Sequence, residues 1–475
     1  MGETGRAPNK PWPPARLASN QRCHQRCAVA GETLKAAAAC HPASAGILGT
    51  ALAVAATMRK RLLIIAAVVL ALALGLVVAV LIVANRPPSP GGLETAPTDI
   101  SVVVPTTPTP EPVKPAPSTT DVDRRCWKMF GGGPTRSLAR PAIQLGIPAR
   151  PPIWARGLKS YVEYPPSYCD GVLYVNTGRG DTWAVAADSG KVLWRRRSNA
   201  SKPSTPAIAG PHLIVSSHDG SISALSRRTG KLVWQLRTRA KVESSPATVD
   251  GVAYFGATDG RLFAVETATG KIRWVYDTGG RINSSPSLAA GRVYITTYAG
   301  SILCLRARDG SKLWVTYVKR DALRYESFYA SASTDGRRLY TIARSGLIVA
   351  LDARTGRIEW KQRINALGYS TPAIGADRIF VGGFDGALHA YRKTDGEELW
   401  QARVGGRILG GPVLVGDLVF FSTLEQKTYA ARADNGRVVW RFPIGKYSPG
   451  IATERAYYFT LNGILISFRG VDGPP

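Results

Sequence analysis

Apolar and polar residues alternate in short runs from about residue 154 to residue 470, and the runs recur at a fixed interval. In one unit GVAYFGA (Gly251–Ala257) alternates and is followed by the turn TDG. RLFAVET (Arg261–Thr267) alternates and is followed by ATG, and KIRWVYD (Lys271–Asp277) completes the unit. A shorter run, SSPAT (Ser244–Thr248), comes before them. Runs of period two, rich in Val, Ile, Tyr, Phe and Trp and punctuated by DG and TG, predict an antiparallel meander. No stretch of the repeats carries a 3.6-residue apolar period, so the region reads as all-β. Four short strands in about 40 residues predict one propeller blade.

Counting the repeats gives the number of blades. Trp194, Trp234, Trp274, Trp314, Trp360, Trp400 and Trp440 are separated by 40, 40, 40, 46, 40 and 40 residues, and Trp154 stands 40 before the first. Gly190, Gly230, Gly270, Gly310, Gly356, Gly396 and Gly436 each lie four residues before a tryptophan. A period near 40 means a solenoid or a propeller. The chain ends on three strands without a tryptophan strand, and it begins with a lone tryptophan strand around Trp154. Each fragment supplies what the other lacks, so the N-terminal strand is expected to close the last blade of eight and remove the open sheet edges. The tryptophans are expected to wedge between blades, and the glycines to supply the positive φ of a tight turn.

A different pattern precedes the repeats. Leu62 to Ala84 is an uncharged run of 23 residues directly after Arg59, Lys60 and Arg61. That is long enough to span roughly 30 Å of hydrocarbon, and the basic flank predicts a cytoplasmic N-terminus with the propeller outside. Residues 58–84 therefore read as a basic flank and single-pass signal-anchor helix. Residues 1–57 read as a disordered segment or an over-extended gene start, with Met58 as the alternative first residue. Residues 85–123, crowded with Pro and Thr, read as an extended linker with no apolar face to bury, and 124–475 as the propeller. Cys23, Cys27, Cys40 and His41 match no usual zinc spacing.

Charge and cysteines add less. The chain has 61 Lys+Arg against 33 Asp+Glu, a formal charge of +28. That excess favours an anionic envelope ligand or partner, and an Arg- and Ala-rich composition also fits a GC-rich bacterial genome. No nucleic-acid partner is expected, and a monomer is expected. Cys126 and Cys169 are both expected to lie outside the membrane, where a disulfide between them is plausible. Cys304, within an apolar strand, reads as a buried free thiol.

LDARTGRIEW (Leu351–Trp360) and VETATGKIRW (Val265–Trp274) resemble the tryptophan-docking motif of the PQQ-like (quinoprotein-type) β-propeller repeat family, over about Trp154 to Gly470. One branch of that family consists of pyrroloquinoline-quinone dehydrogenases. Another consists of non-enzymatic scaffolds such as the lipoprotein of the outer-membrane barrel-assembly machine, and others are sensor domains. The dehydrogenase branch would imply the quinone, calcium and a catalytic Asp. Against it, the uniform spacing leaves little chain for a pocket, no adjacent cysteines occur, and Asp219, Asp259 and Asp385 fall at turns. A scaffold or sensor without catalytic residues, cofactor or metal is therefore expected, with a quinone- and calcium-dependent dehydrogenase as the alternative.

Partner contacts are expected where the repeat varies. Lys241, Arg281 and Arg407 each stand five residues before a blade's proline, with Lys202 and Lys446 near the same register. The 46-residue spacing adds an insertion carrying Lys319, Arg320, Arg324, Tyr325, Phe328 and Tyr329. Loops held by a rigid scaffold, with cations beside aromatics, suit recognition.

Overall fold

A computed structural model describes residues 57–76, 89–94, 101–103 and 126–471. The chain divides into two compact units, Met1–Ala84 and Asn85–Pro475. In the first, residues 57–76 are helical. Among the described residues no helix is long and apolar enough to cross a membrane. Residues 77–84 of the expected span lie outside them, as do Cys23, Cys27, Cys40, His41 and the rest of 1–56.

The second unit is all-β. Eight four-stranded meanders begin at Ser167–Cys169, Ala207–Ala209, Ala247–Val249, Ser287–Ala289, Ser333–Thr334, Ala373–Ile374, Val413–Val415 and Gly450–Ala452. These are blades 1 to 8. The fourth strand of blade 8 is Trp154–Gly157, antiparallel to Ile464–Phe468 with Ile464 opposite Gly157 and Ser467 opposite Trp154. A second clasp pairs Ile147–Pro148 with Gly470–Val471. The ring is closed by strand exchange between its two ends, as the incomplete terminal repeats require.

Each tryptophan reaches into the next blade. The Trp274 indole N–H donates to the Ala307 carbonyl at 3.0 Å, and its ring lies against Gly310, where an added Cβ would come within 2.8 Å. The same bond runs from Trp154 to Ala187, Trp194 to Arg227, Trp234 to Thr267, Trp314 to Ala353, Trp360 to Lys393 and Trp400 to Ala433. Gly310 has φ +71°. It is fixed twice over, by its own turn and by the ring of the preceding blade. Trp440 has no such turn ahead of it and packs instead among Phe442, Phe459 and Phe468.

In blades 2 to 6 the residue before the proline (before Ala332 in blade 5) has a separate duty. The Thr205 amide donates to Ser245 Oγ (3.0 Å), Ser245 to Ser285 Oγ (2.9 Å), Ser285 to Ser331 Oγ (2.8 Å) and Ser331 to Thr371 Oγ1 (3.3 Å). Hydroxyls one repeat apart thus lace the innermost strands of blades 2 to 6 together and satisfy amides that would otherwise be buried without a partner.

Two features depart from the sequence reading. The stretch 85–123 is not wholly without pairing. Gly92–Leu93 adds a strand beside Ile272–Asp277 of blade 3, and Ser101–Val103 adds one beside Leu232–Arg237 of blade 2. The outermost strand of a blade presents unpaired backbone groups, and a β-prone segment such as SVV can satisfy them.

The second departure is the lead-in, residues 126–140, which carries no repeat and fills the axis. Trp127 pairs with Tyr168 of blade 1, and its indole donates to Ala452 O of blade 8. Lys128, Pro134, Thr135, Ser137 and Leu138 offer their carbonyls to Ile208, Leu288, Thr334, Ile374 and Leu414, at 2.7–2.9 Å, in blades 2, 4, 5, 6 and 7. Arg136 is fully buried and donates to Ser245 O (2.8 Å) at the start of blade 3, to Pro286 O (2.9 Å) and to Phe130 O. One short segment therefore bonds to all eight blades. Burial pushes the Arg136 guanidinium down to about 9, so it is charged at neutral pH and held by carbonyl dipoles. Arg136→Met should leave three buried carbonyls short of a donor and cost about 1–3 kcal/mol, read as a lower urea midpoint.

Cys126 and Cys169 are joined by a disulfide, S–S 1.98 Å, that ties this plug to blade 1. Cys304 is a buried free thiol, and burial pushes it up to about 12.

Candidate functional site

Each blade's first strand runs from one end of the axis towards the other. The crossings from a fourth strand into the next blade therefore gather on one face of the ring, together with the turns between second and third strands. An axial cleft opens on this crossover face, with about 550 Å³ of empty space including the part open to solvent. Its lining repeats at a single register, three residues before the blade's proline. There the successive blades carry Glu163, Pro203, Glu243, Asn283, Tyr329 (before Ala332, which stands in the proline's place), Tyr369, Leu409 and, before Pro449, Lys446. Glu163, Asn283, Tyr329, Tyr369 and Leu409 line the cleft directly, with Tyr164, Tyr447 and, from the plug, Phe130.

The neighbouring registers do other work. One residue earlier the chain is buried: Val162, Val242, Ile282, Phe328 and Ile408. Phe328 belongs to this core series and has no exposed surface. It is therefore corrected from a partner contact to a packing residue. Lys202 stands in the same series, nearly buried, with Nζ donating to Thr182 Oγ1 at 3.2 Å. Burial lowers it to about 8.

Five residues before the proline the series reads Tyr161, Ser201, Lys241, Arg281, Leu367 and Arg407, and Ser327 takes that place in the longer crossing. These residues offer their backbone carbonyls to the turns between second and third strands, as Lys241 does to Thr258 and Arg281 to Tyr298. A continuous ring of cations is not formed. Arg281 lies 3.7 Å from Glu243, and Arg407 pairs with Glu425 at 2.9 Å.

What the face does carry is a run of rings and guanidinium groups. Arg281 lies over Tyr298 (5.4 Å). Tyr298 meets Tyr329 edge-on (6.4 Å), Tyr329 meets Tyr369 (5.6 Å), and Tyr369 packs on Phe384 (5.1 Å). Arg344 and Arg407, both exposed, lie over Tyr369 and Phe384, each at 6.0 Å. This belt crosses the crossover face from blade 3 to blade 7 and includes Tyr329 of the insertion.

The rest of the insertion is a small turn. Lys319 bridges to Tyr325, Tyr325 packs edge-on to Tyr317 (5.7 Å), and Asp321 holds Arg324 at 2.7 Å. Lys319, Arg320 and Arg324 are exposed. Glu326 is buried, accepts from Ser345 Oγ at 2.8 Å and faces Arg363 at 3.5 Å, so it is structural. Replacing 320–324 by Asn-Gly should keep the Lys319–Tyr325 bridge and leave the melting temperature nearly unchanged. A cooperative melt displaced by more than about 5 °C would contradict that reading.

Electrostatically the cleft differs from the rest of the chain. Glu163 is half-buried and, among the described residues, has no hydrogen-bond or ion-pair partner. Burial and then the Glu243 charge raise its carboxyl above the usual range, and Lys446 opposes them. Glu243 is engaged: Asn283 donates to it and His218 lies 3.8 Å away. Burial raises the phenols of Tyr164 and Tyr329, the second to about 12, so both stay protonated.

For an acid whose folded pKa is raised, the folded state keeps its proton longer than the unfolded chain. Stability is lost as pH rises through that window. Glu163→Gln is accordingly expected to raise the melting temperature at neutral pH, by a margin that shrinks as pH falls towards about 4.5, the ordinary glutamate value. A variant less stable than the parent at pH 7 would contradict it.

The residues of the cleft do not fit a quinone tricarboxylate. No Arg or Lys lines it, and the only charged lining group is Glu163. Phe130 and Tyr164 at its base stand at 80° and offer no flat platform for a planar ring. Among the described residues the one group of metal-ligand type is Cys126, Cys169 and Asp170, and its two sulfurs are bonded to each other. Asp219 and Asp259 serve turns, accepting from Ser221 and Arg261 amides. Asp385 accepts from the Ala387 amide and faces His389.

The family model described as outer membrane protein assembly factor BamB matches residues 124–321 and 322–455, most of the chain. The chain belongs to that family. No curated protein matches it in sequence. Among solved structures, a europium-containing methanol dehydrogenase is 13% identical over 73% of this chain and 99% of its own, with a TM-score of 0.64. The quinohemoprotein alcohol dehydrogenase of Comamonas testosteroni is 14% identical over 75% and 82%, at 0.61. The computationally designed Ika8 protein is 11% identical over 66% and 98%, at 0.57. At such identities the likeness is one of fold, and two dehydrogenases beside a computationally designed protein show that the fold alone does not fix the function.

The −3 register was within reach of sequence reasoning. Reading every crossing at that position gives Glu, Pro, Glu, Asn, Tyr, Tyr, Leu and Lys, a column in which the repeat varies. The plug had no comparable signal.

Proposed function

We propose that this chain is a membrane-anchored, extracytoplasmic propeller that holds a protein partner on its crossover face and catalyses no reaction. The observation that carries the reading is the belt from Arg281 to Arg407. Half-buried aromatic rings flanked by exposed arginines are the composition of interface hot spots, and a rigid ring of blades keeps them in place. Membership of a family named for an assembly factor supports a scaffold. The basic flank and apolar run at 58–84 support an anchor with the propeller outside the cytoplasm.

The test uses the full chain in native membranes. Tyr298→Ala and Tyr369→Ala are each expected to weaken co-purification of the partner by about 2 kcal/mol, roughly thirtyfold, while circular dichroism stays unchanged. Added pyrroloquinoline quinone and calcium chloride are expected to give no dye reduction with alcohols. Quinone-dependent dye reduction, with capture indifferent to both substitutions, would overturn the proposal.

A further inference from the structure

The belt accounts for the rim of the crossover face and leaves the cleft at its centre unexplained. A carboxylate without a partner, set into a cleft walled by tyrosines, is costly in a folded protein. A chain with 61 Lys+Arg had many means of neutralising it. Three properties meet there. Glu163 is the only charged group of the lining, and no described cation pairs with it. Tyr164, Tyr329 and Tyr369 present aromatic rings to the cleft, whose faces are electron-rich surfaces. Glu243, two blades along in the same register, adds acid field from a carboxylate that Asn283 holds in place and that Arg281 neutralises in part, at 3.7 Å. Carboxylate attraction and aromatic faces together are the means by which proteins hold substituted ammonium ions.

We propose that the axial cleft is a binding site for an alkylammonium group, with Glu163 as its counter-ion and the rings of Tyr164, Tyr329 and Tyr369 as its walls. The group arrives either on a small free amine or on a lysine side chain of a bound protein. The chemistry at the carboxylate is the same for both. Lys446 opposes the acid field without forming an ion pair with Glu163, and its ammonium lies over the Tyr447 ring at 5.2 Å, outside the lining. Anions are disfavoured by Glu163 and Glu243, and a neutral alcohol of the same length lacks the charge that the site answers.

The experiment is calorimetric titration of the full chain in detergent with n-butylammonium chloride, with 1-butanol, and with Nα-acetyl-lysine N-methylamide. Saturable binding of butylammonium is expected, at least tenfold weaker in Glu163→Gln and in Tyr164→Leu, which lies outside the belt, with no binding of butanol. Tighter binding of the capped lysine than of butylammonium assigns the group to a protein side chain, and the reverse order assigns it to a free amine. Equal binding to the parent and Glu163→Gln overturns the inference. So does a cleft that takes calcium chloride or butanol but no amine. Since Glu163→Gln removes charge from the centre and leaves the belt intact, partner capture through the belt is scored separately, and either result stands without the other.

Discussion

Trp274→Ala is expected to destabilise the propeller by about 3–5 kcal/mol, the range for removing a large aromatic side chain from a core. Trp274 is 6% exposed and touches three things that the substitution abandons. Its ring faces Gly310 of the next blade, where there is no side chain to swing into the gap. Its indole N–H leaves the Ala307 carbonyl, which also accepts from the Tyr254 hydroxyl at 3.1 Å. Its own blade loses the packing of Tyr254, 5.8 Å away. Blade 3 also loses its grip on blade 4, so protease nicks should appear first in the Asp277–Ser287 crossing. Trp274→Phe separates the parts: it keeps most of the apolar contact and costs only the hydrogen bond, about 1 kcal/mol. Equilibrium urea unfolding reads both as a lower midpoint at constant slope. Equal stability of the alanine variant and the parent would mean that the tryptophans do not join the blades.

Opening the Cys126–Cys169 bridge, by Cys126→Ser or by reductant, is expected to cost about 4 kcal/mol from the freed chain entropy of a loop with sequence separation 43. The effect should exceed the loss of the bridge alone. Trp127 and Lys128, which pair with Tyr168 and Ile208, adjoin the cysteine, and these are the plug's first attachments to the ring. The plug otherwise has only short backbone bonds and Arg136 to hold it. Loosening its start should therefore raise hydrogen exchange at Leu288, Thr334 and Ile374, whose amides donate to the plug's carbonyls. Reduction without any change in the melting curve would show that the plug is held by its contacts alone.

The fold was legible because a propeller is written as a periodic pattern. The 40-residue spacing, the glycines ahead of Trp194 to Trp440 and the incomplete terminal repeats gave eight blades and the closing strand at Trp154. The plug was not legible, since residues 126–140 have no period and their bonds are made through backbone carbonyls that any sequence carries. The added strands at Gly92–Leu93 and Ser101–Val103 were hidden for a related reason: a Pro- and Thr-rich stretch can satisfy an edge with two or three residues. Of the partner contacts expected on the crossings, Tyr329 joins the belt and Arg281 and Arg407 flank it. Phe328 is core, because the insertion returns to the buried register one residue before Tyr329. Glu163 was not legible as a cleft residue, because its lack of a partner depends on side chains from other blades and leaves no mark on its spacing.

The central claim is that recognition resides on the crossover face. A photoreactive amino acid placed at Leu367, 45% exposed beside Tyr369, tests it most directly in intact membranes. A second placed at Lys271, in an exposed turn at the other end of the axis, is the control. The account predicts one discrete crosslinked protein from Leu367 and none from Lys271. Crosslinks from Lys271 alone, or the same product from both positions, would contradict it.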